Sequence, residues 1–481
     1  MPDAMTRRGF LSVATAGAGC ALLGRSVPAV GTQPGATLPP WPEAKVYRVY
    51  VNRPRGAWPK PEFDAPAEVA KFERRLAEMR PRLEGIRLVG GELVQTPEEA
   101  ARTAAAVRNA DGVLIVHLGI ATAPLMKSII DAGRPCVVFS QPFSGHDWMD
   151  VRTWARSGAR VALMATRDLG QLEAAVRLVS VPGRMARSRI VLVGAADGTA
   201  PARSPENVRS RLGTTVVPIA VEQLVAAHRA VDAGMAEAEA DRWIRQARRV
   251  IEPPREEIVK SARMYLALVH ILRTERAQAC TIRCLGGIPI DVLGYPCLAF
   301  TRMLDAGLVG ACEADMDSTL TMLMFAYAFG VPGFITDPLF DTARNAVIHA
   351  HCTAPTRMDG PSGPPAPYDI RTHRDDNRGA ALQVEMRLGQ VITCAKLVNL
   401  DTMLVSTGKI IEVPDFDDRG CRTQITTGVD DAQQMLDNWG ASLLEKEGWM
   451  AQLHRVVFYG DHTAGVRHLS GLLGFKVVRA I

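Results

Sequence analysis

Between residue 43 and about residue 220 the chain alternates short, largely apolar runs with amphipathic stretches of helical period, and this alternation restricts the fold more than any other feature. Val46–Val51, Ile86–Val89, Gly112–Leu118, Cys136–Ser140, Arg160–Ala165, Ile190–Val193 and Thr215–Ile219 read as strands. Pro66–Met79, Pro97–Arg108, Ala123–Ala132, 168–179 and 205–212 read as the helices between them. Strands with no polar face are buried on both sides, which predicts parallel sheets covered by helices. Two such α/β units are expected, meeting around 165–190. Residues 221–275 read as almost wholly helical, broken at Pro253-Pro254.

Beyond Asp337 the pattern changes to β-runs joined by glycine-containing turns. Val347–His351, Leu382–Leu388, Gln390–Val398, Met403–Thr407, Lys409–Val413 and Thr423–Thr427 read as strands, with Gly389 placed to turn a hairpin. A final β–α–β unit is expected over His454–Tyr459, Thr463–Leu473 and Lys476–Arg479. The fold class expected is therefore α/β: doubly wound parallel-sheet domains over 43–165 and 166–335, then a mixed α+β, β-barrel-like domain over 336–481. The 481 residues have room for two or three such cores.

Residues 1–31 read as a leader. Thr6-Arg7-Arg8-Gly9-Phe10-Leu11 resembles a twin-arginine export motif, followed by an Ala/Gly-rich stretch to Leu23 and Val27-Pro28-Ala29 as a small-residue cleavage site. The alternatives are a disordered basic tail, or lipidation at Cys20, against which Gly17 stands where such sites carry Leu. The apolar stretch is too short to span a bilayer, and no later segment reaches eighteen apolar residues, so no stable membrane insertion is expected. A periplasmic or secreted protein follows. Eight cysteines lie beyond residue 31 without a CxxC pair; they read as buried small hydrophobes, with one or two disulfides left open. Net charge is +5, but no basic stripe with interleaved aromatics exists, and nucleic acid is not an expected partner.

Chemistry concentrates at Ala311-Cys312-Glu313-Ala314-Asp315, Thr336-Asp337-Pro338 and Ile348-His349-Ala350-His351-Cys352, each placed where an apolar run ends. Glu313, Asp337 and His351 supply two carboxylates and an imidazole, a set suited to a hard or borderline divalent ion such as Mn²⁺. A carboxylate at 313 is expensive to bury unless it pairs or binds a cation. The competing use for these acids is capping the helix that follows, a role assigned here to Asp317 or Ser318. His349 and His351 share one face of a strand, so His349 either orients His351 or is a strand histidine satisfied by hydrogen bonds. Val193–Thr199 lacks both GxGxxG and a P-loop ending, and no GxSxG elbow occurs.

The order Cys-Glu-x-Asp, then Ser-Thr-Leu-Thr-Met-Leu-Met, then Asp-Pro, then Ala-His-Cys resembles the L-fucose and L-arabinose isomerase group of sugar isomerases, from about residue 278 to the C-terminus. The resemblance implies a fucose isomerase-like fold and a Mn²⁺ or other divalent ion held by Glu313, Asp337, His351 and a late histidine. It also implies proton transfer by Glu313 and Asp337 on a small sugar, and a homo-oligomer, trimer or hexamer, in which one subunit's N-terminal domain covers the next one's site. His454 matches the first histidine of the family's late His-His pair, whose second position here is Arg455; His462 is an alternative ligand. His373, in the long loop 355–379, either contacts sugar hydroxyls or caps a turn. Trp148 and His146 follow a parallel strand at the end where ligands bind, where they either stack on and hydrogen-bond a sugar or belong to an ordinary loop. The function expected is an exported, metal-dependent aldose–ketose isomerase. The rivals are an inactive periplasmic sugar-binding protein and a metal-dependent lyase, epimerase or hydrolase on a modified sugar.

Overall fold

Among the described residues there are four sheets, and the three larger ones share an apolar cluster with a single buried helix. The computed structural model describes residues 38–54, 63–414 and 419–480. The twin-arginine-like motif, Cys20 and the rest of the leader lie outside the described residues. The first sheet contains β1 (Ala44–Val51), β2 (Ile86–Val94), β3 (Gly112–His117), β4 (Cys136–Ser140) and β5 (Val161–Ala165), all parallel, in the order β2-β1-β3-β4-β5. β3 and β4 are buried at every residue: their runs are apolar up to the last positions, His117 and Ser140, which hydrogen-bond each other at 2.8 Å. The helix over Pro97–Val107 starts in a capping box: Thr96 accepts from the Glu99 amide while the Glu99 side chain reaches back. β2 runs five residues past its expected end because Gly90 and Gly91, both at positive φ, absorb a register shift against β1.

The second sheet, also parallel, is built from β6 (Arg189–Val193), β7 (Thr215–Ile219), β9 (Ala279–Ile282) and β10 (Val309–Ala311) in the order β10-β9-β6-β7; β8 (Arg249–Val250) stands apart from it. The helix expected to end at 179 runs over Gln171–Arg187, through Pro182, and packs on β1, β3 and β4. It also packs on the helices Met316–Phe329 and Thr463–Leu473.

The last third contributes β11 (Phe334–Asp341), β12 (Ala346–His351), β13 (Tyr368–Arg371), β14 (Ala381–Val384), β15 (Val391–Val398), β16 (Thr402–Glu412), β17 (Thr423–Gly428), β18 (Arg455–Tyr459) and β19 (Lys476–Arg479). Six of them close on themselves in the order β15-β18-β11-β12-β17-β16, with every neighbouring pair antiparallel and β16 returning to β15. β19 adds to β16 in parallel. Two expectations are corrected. Gly389 turns no hairpin, because β14 pairs with β13 and, through it, β8, while β15 pairs with β16 and β18. The hairpin is instead β15–β16, turned at Asn399 and Leu400, both left-handed. The runs expected at 403–407 and 409–413 are a single strand, β16.

The helix Met316–Phe329 occupies the centre and is buried along nearly its whole length. It packs on Gln171–Arg187, β9, β10, β15 and β18, so one apolar cluster joins Phe139 of the first sheet, Leu192 of the second and Val456 and Phe458 of the third. Gly333 lets β11 begin hard against this helix: a Cβ there would meet Val456 and Met322 at 2.5 and 2.8 Å. Phe325 stacks on Phe458 with centroids 3.9 Å apart. No described helix is long and apolar enough to cross a membrane. Phe325→Ala is expected to lower the unfolding free energy by about 3–5 kcal/mol, the usual result of emptying a well-packed aromatic site. Chemical denaturation measures it, and a loss below about 1 kcal/mol would contradict the central place given to this helix.

Candidate metal centre

The chain leaves β10 through two consecutive left-handed residues, Glu313 (φ 62°) and Ala314 (φ 57°). Such conformations cost about 1–3 kcal/mol each and persist only where the surroundings hold them. Here the Ala314 amide donates to the Ile282 carbonyl at 3.0 Å, the Ala314 carbonyl accepts from the Asp197 amide at 2.9 Å, and the Asp315 amide returns to the Cys312 carbonyl at 3.2 Å. The turn brings the Glu313 carboxylate to the barrel. There the β11–β12 register sets Asp337 opposite Ala350, one residue from His351, and the β11–β18 register sets Thr336 opposite Arg455, one residue from His454.

Four sequence-predicted residues therefore converge. Glu313 Oε1 lies 3.7 Å from His351 Nε2 and 3.9 Å from His454 Nε2, and Asp337 Oδ1 lies 3.4 Å from His454 Nε2. One donor atom from each of Glu313, His351 and His454 falls within 4.8 Å of the others, and all three residues are buried. Asp337 stands at the rim, with 14% of its side chain exposed. His454 Nε2 and His351 Nδ1 are buried without a hydrogen bond, an arrangement that is costly unless another group satisfies them. Two imidazoles and a carboxylate, with a second carboxylate beside them, are the donor set of a borderline divalent cation, so the residues present fit one.

Behind these residues lies a second layer that sequence reasoning only half found. Asp315 caps the central helix, accepting from the Ser318 amide at 3.0 Å and the Ser318 hydroxyl at 2.7 Å. The cap was expected from Asp317 or Ser318. Asp317 instead accepts from the amide and hydroxyl of Thr199, which fastens the 197–199 loop to the helix. Asp315 also receives His454 Nδ1 at 3.0 Å and the Lys396 ammonium at 3.0 Å. Lys396 is fully buried and its second contact is the Met450 carbonyl at 3.1 Å. Nothing in the apolar run of β15 announced this lysine.

The charges follow from this packing. Burial alone would raise the Asp315 carboxyl, but Lys396 and His454 outweigh it and keep the group ionised. Burial pushes Asp317 up to about 7, with Lys396 opposing and Asp315 adding to the rise. Glu313 is held below the usual range because His351 and His454 outweigh its desolvation. For His454 burial works against the proton, yet Asp315, Asp337 and Glu313 together carry it up to about 10.

His373 lies flat on Tyr295 at 4.0 Å, and Asp376 ties the pair together, 3.7 Å from His373 Nδ1 and accepting from the Tyr295 hydroxyl at 2.7 Å. Tyr295 in turn packs in one apolar cluster with Cys352, the residue after His351. His146 and Trp148 are exposed at the carboxyl end of β4, on a different sheet from the buried cluster. Asp147 between them accepts from the amide and hydroxyl of Thr122. His349 does not orient His351; it is held by the hydroxyls of Thr336 and Thr427, both at 3.1 Å. His462 stacks on Phe329 at 4.3 Å and hydrogen-bonds the Tyr459 carbonyl at 2.8 Å, a packing role. Arg455 lies over Trp439 at 3.8 Å and donates to the His454 carbonyl, so His454 is the member of the pair turned to the cluster. Among the described residues all eight cysteines are free thiols.

No family model matches the chain. Over 225 residues it is 22% identical to the sulfoquinovose isomerases of Priestia aryabhattai and of Priestia megaterium (strain ATCC 12872 / QMB1551), an alignment that takes in 46% of this chain and 48% of each relative. The chain thus spans about half the length of the curated relatives it matches. This likeness supports kinship with sugar isomerases at most and does not single out the fucose and arabinose enzymes.

Two outcomes are expected. Asp315→Asn keeps a competent helix cap but loses the charge behind His454, so Mn²⁺ affinity should fall about 10–100-fold by calorimetry; an unchanged affinity would contradict the role given to Asp315. Because the His454 pKa is raised from 6.5 to about 10, its contribution to the stability of the metal-free protein is complete below about pH 6.5 and disappears as pH rises through about 10. Metal binding displaces that proton, so affinity should rise with pH across the same window, with about one proton released per ion at pH 8. Release of none, measured in buffers of different ionisation enthalpy, would contradict the protonated state.

Proposed function

We propose that this chain is a divalent-metal-dependent aldose–ketose isomerase acting on a small sugar. The observation that carries the proposal is the buried convergence of Glu313, His351 and His454, with Asp337 at its rim. An ion held there, for which Mn²⁺ is the first choice, supplies positive charge that favours binding of adjacent sugar oxygens and of the negative charge of an enediolate. The remaining work falls to the chain's own residues. Asp315, kept ionised by Lys396, fixes the His454 ring through Nδ1 and leaves Nε2 facing the cluster. Glu313 and Asp337 lie 3.9 and 3.4 Å from that nitrogen, close enough together for one carboxylate to take the C2 proton while the opposite side of the site returns a proton to C1. The low exposure of Glu313, His351 and His454 keeps bulk water from competing for the proton.

The name of the two relatives nominates sulfoquinovose as the first sugar to test, alongside L-fucose and L-arabinose. Export through the twin-arginine-like leader, and assembly into a trimer or hexamer with the 140–148 loop of one subunit over the next one's centre, belong to the same proposal. In the assembled enzyme Trp148→Ala should raise KM while leaving metal affinity unchanged; a fully active monomer would refute the shared site.

The decisive test is incubation of Mn²⁺-loaded protein with these sugars in D₂O. Deuterium entering C1 or C2 is the expected result, and exchange into none of them would leave a binding protein. Glu313→Gln should keep the fold, lose tight Mn²⁺ binding and reduce isomerisation by at least about 10²–10⁴-fold. Wild-type metal content in that variant would overturn the assignment.

A further inference from the structure

A cavity of about 500 Å³ lies where the helix Gln171–Arg187, the last turns of the central helix and the 359–362 loop meet. Its wall carries Arg82, Arg177 and Arg184 together with Trp41, Met322 and Phe329. Arg184 is the unusual member: it is 4% exposed, and its Nε has no hydrogen-bond partner. Its guanidinium is stacked between rings, 4.4 Å from the centroid of Tyr327 and 5.4 Å from that of Trp41, contacts that steady the cation but leave its N–H donors unanswered. Among the described residues it forms no ion pair. Burial lowers its pKa to about 10, which still leaves it charged at neutral pH.

The acids nearby do not balance the cations. Arg82 and Arg177 share one carboxylate, Glu173, at 2.8 and 3.1 Å. Glu84 acts on Arg184 only through its field, and Asp359 is taken by Arg387. Three guanidinium groups therefore face two carboxylates, and the one with no partner is the most deeply buried. A buried cation in this state is strongly unfavourable unless an anion completes it. The guanidinium fork matches the oxygens of a tetrahedral oxyanion. The volume and the apolar flank of Met322 and Phe329 suit a carbon skeleton attached to it.

We propose that this cavity is a binding site for a small organic anion, a phosphate or sulfonate group carried on a sugar-sized skeleton, distinct from the metal centre. The central helix runs between the two sites, its cap Asp315 serving His454 while Met322 and Phe329 line the cavity, and Val309 at the start of β10 and Gly333 ahead of β11 also border it.

Calorimetry on the full chain with inorganic phosphate, glucose 6-phosphate and glucose tests it. Both anions should bind one per chain, glucose should not, and glucose 6-phosphate should bind at least about tenfold more tightly than phosphate. Equal affinities would retain the oxyanion site but make free phosphate its ligand. Arg184→Met and the more exposed Arg177→Gln should each weaken binding at least about tenfold, the second variant deciding the matter if the first fails to fold. Glu313→Gln should bind both anions as wild type does, which separates this site from the metal centre. Absence of binding, undiminished binding in the arginine variants, or loss in Glu313→Gln would overturn the proposal.

Discussion

The carboxylate of Asp315 is the contact on which the rest of the site depends. It ends the two-residue left-handed turn, caps the central helix through Ser318, and receives both Lys396 and His454. Those donors come from the central helix, from β15 and from the residue before β18, while Asp315 itself stands at the exit of the second sheet. One ionised group thus fixes how the parallel sheets and the barrel meet. Removing either cation would leave a buried charge uncompensated, a loss of about 3–5 kcal/mol in comparable settings.

The same knot explains why strain at Glu313 and Ala314 can persist. The helix cap on one side and the hydrogen bonds to Ile282 and Asp197 on the other leave the backbone no relaxed alternative that keeps them all. The strained turn places one carboxylate beside two imidazoles supplied by β12 and the residue before β18, whose positions are set by sheet register. A centre assembled from a turn and paired strands holds its geometry without relying on a mobile loop. The loop residue His373 stacks on Tyr295 instead, and Tyr295 packs with Cys352, the residue after His351.

Much of this was legible in the sequence, for physical reasons that can be named. β3, β4 and β7 were readable because apolar runs bounded by helical periods have few other uses. Glu313, Asp337 and His351 stood out because polar groups ending apolar runs need a partner, whereas His454 was pointed to by the resemblance to the sugar isomerases alone. What failed was non-local. Ring closure by β15 and β16 depends on pairing that no local pattern encodes, and Gly389 resembled a hairpin glycine although its neighbours join different sheets. Asp315 could not be separated from Asp317 as the cap, since both stand at the start of the same helix and only their distant partners, Lys396 and His454 for one and Thr199 for the other, distinguish them. Lys396 itself was hidden inside a β-run that is buried at every residue after Val391. The helix across Pro182 was cut short because proline there breaks an isolated helix, while tertiary packing on β1, β3 and β4 sustains this one.

The account stands or falls on where a metal goes. A crystal of the protein soaked in Mn²⁺ and measured near the manganese absorption edge gives the most direct answer. The account predicts one anomalous peak per chain, bonded to the Glu313 carboxylate and to the imidazoles of His351 and His454, with Asp337 adjoining. A map with no peak among these residues, or with manganese bound elsewhere while they keep their metal-free contacts, would contradict it.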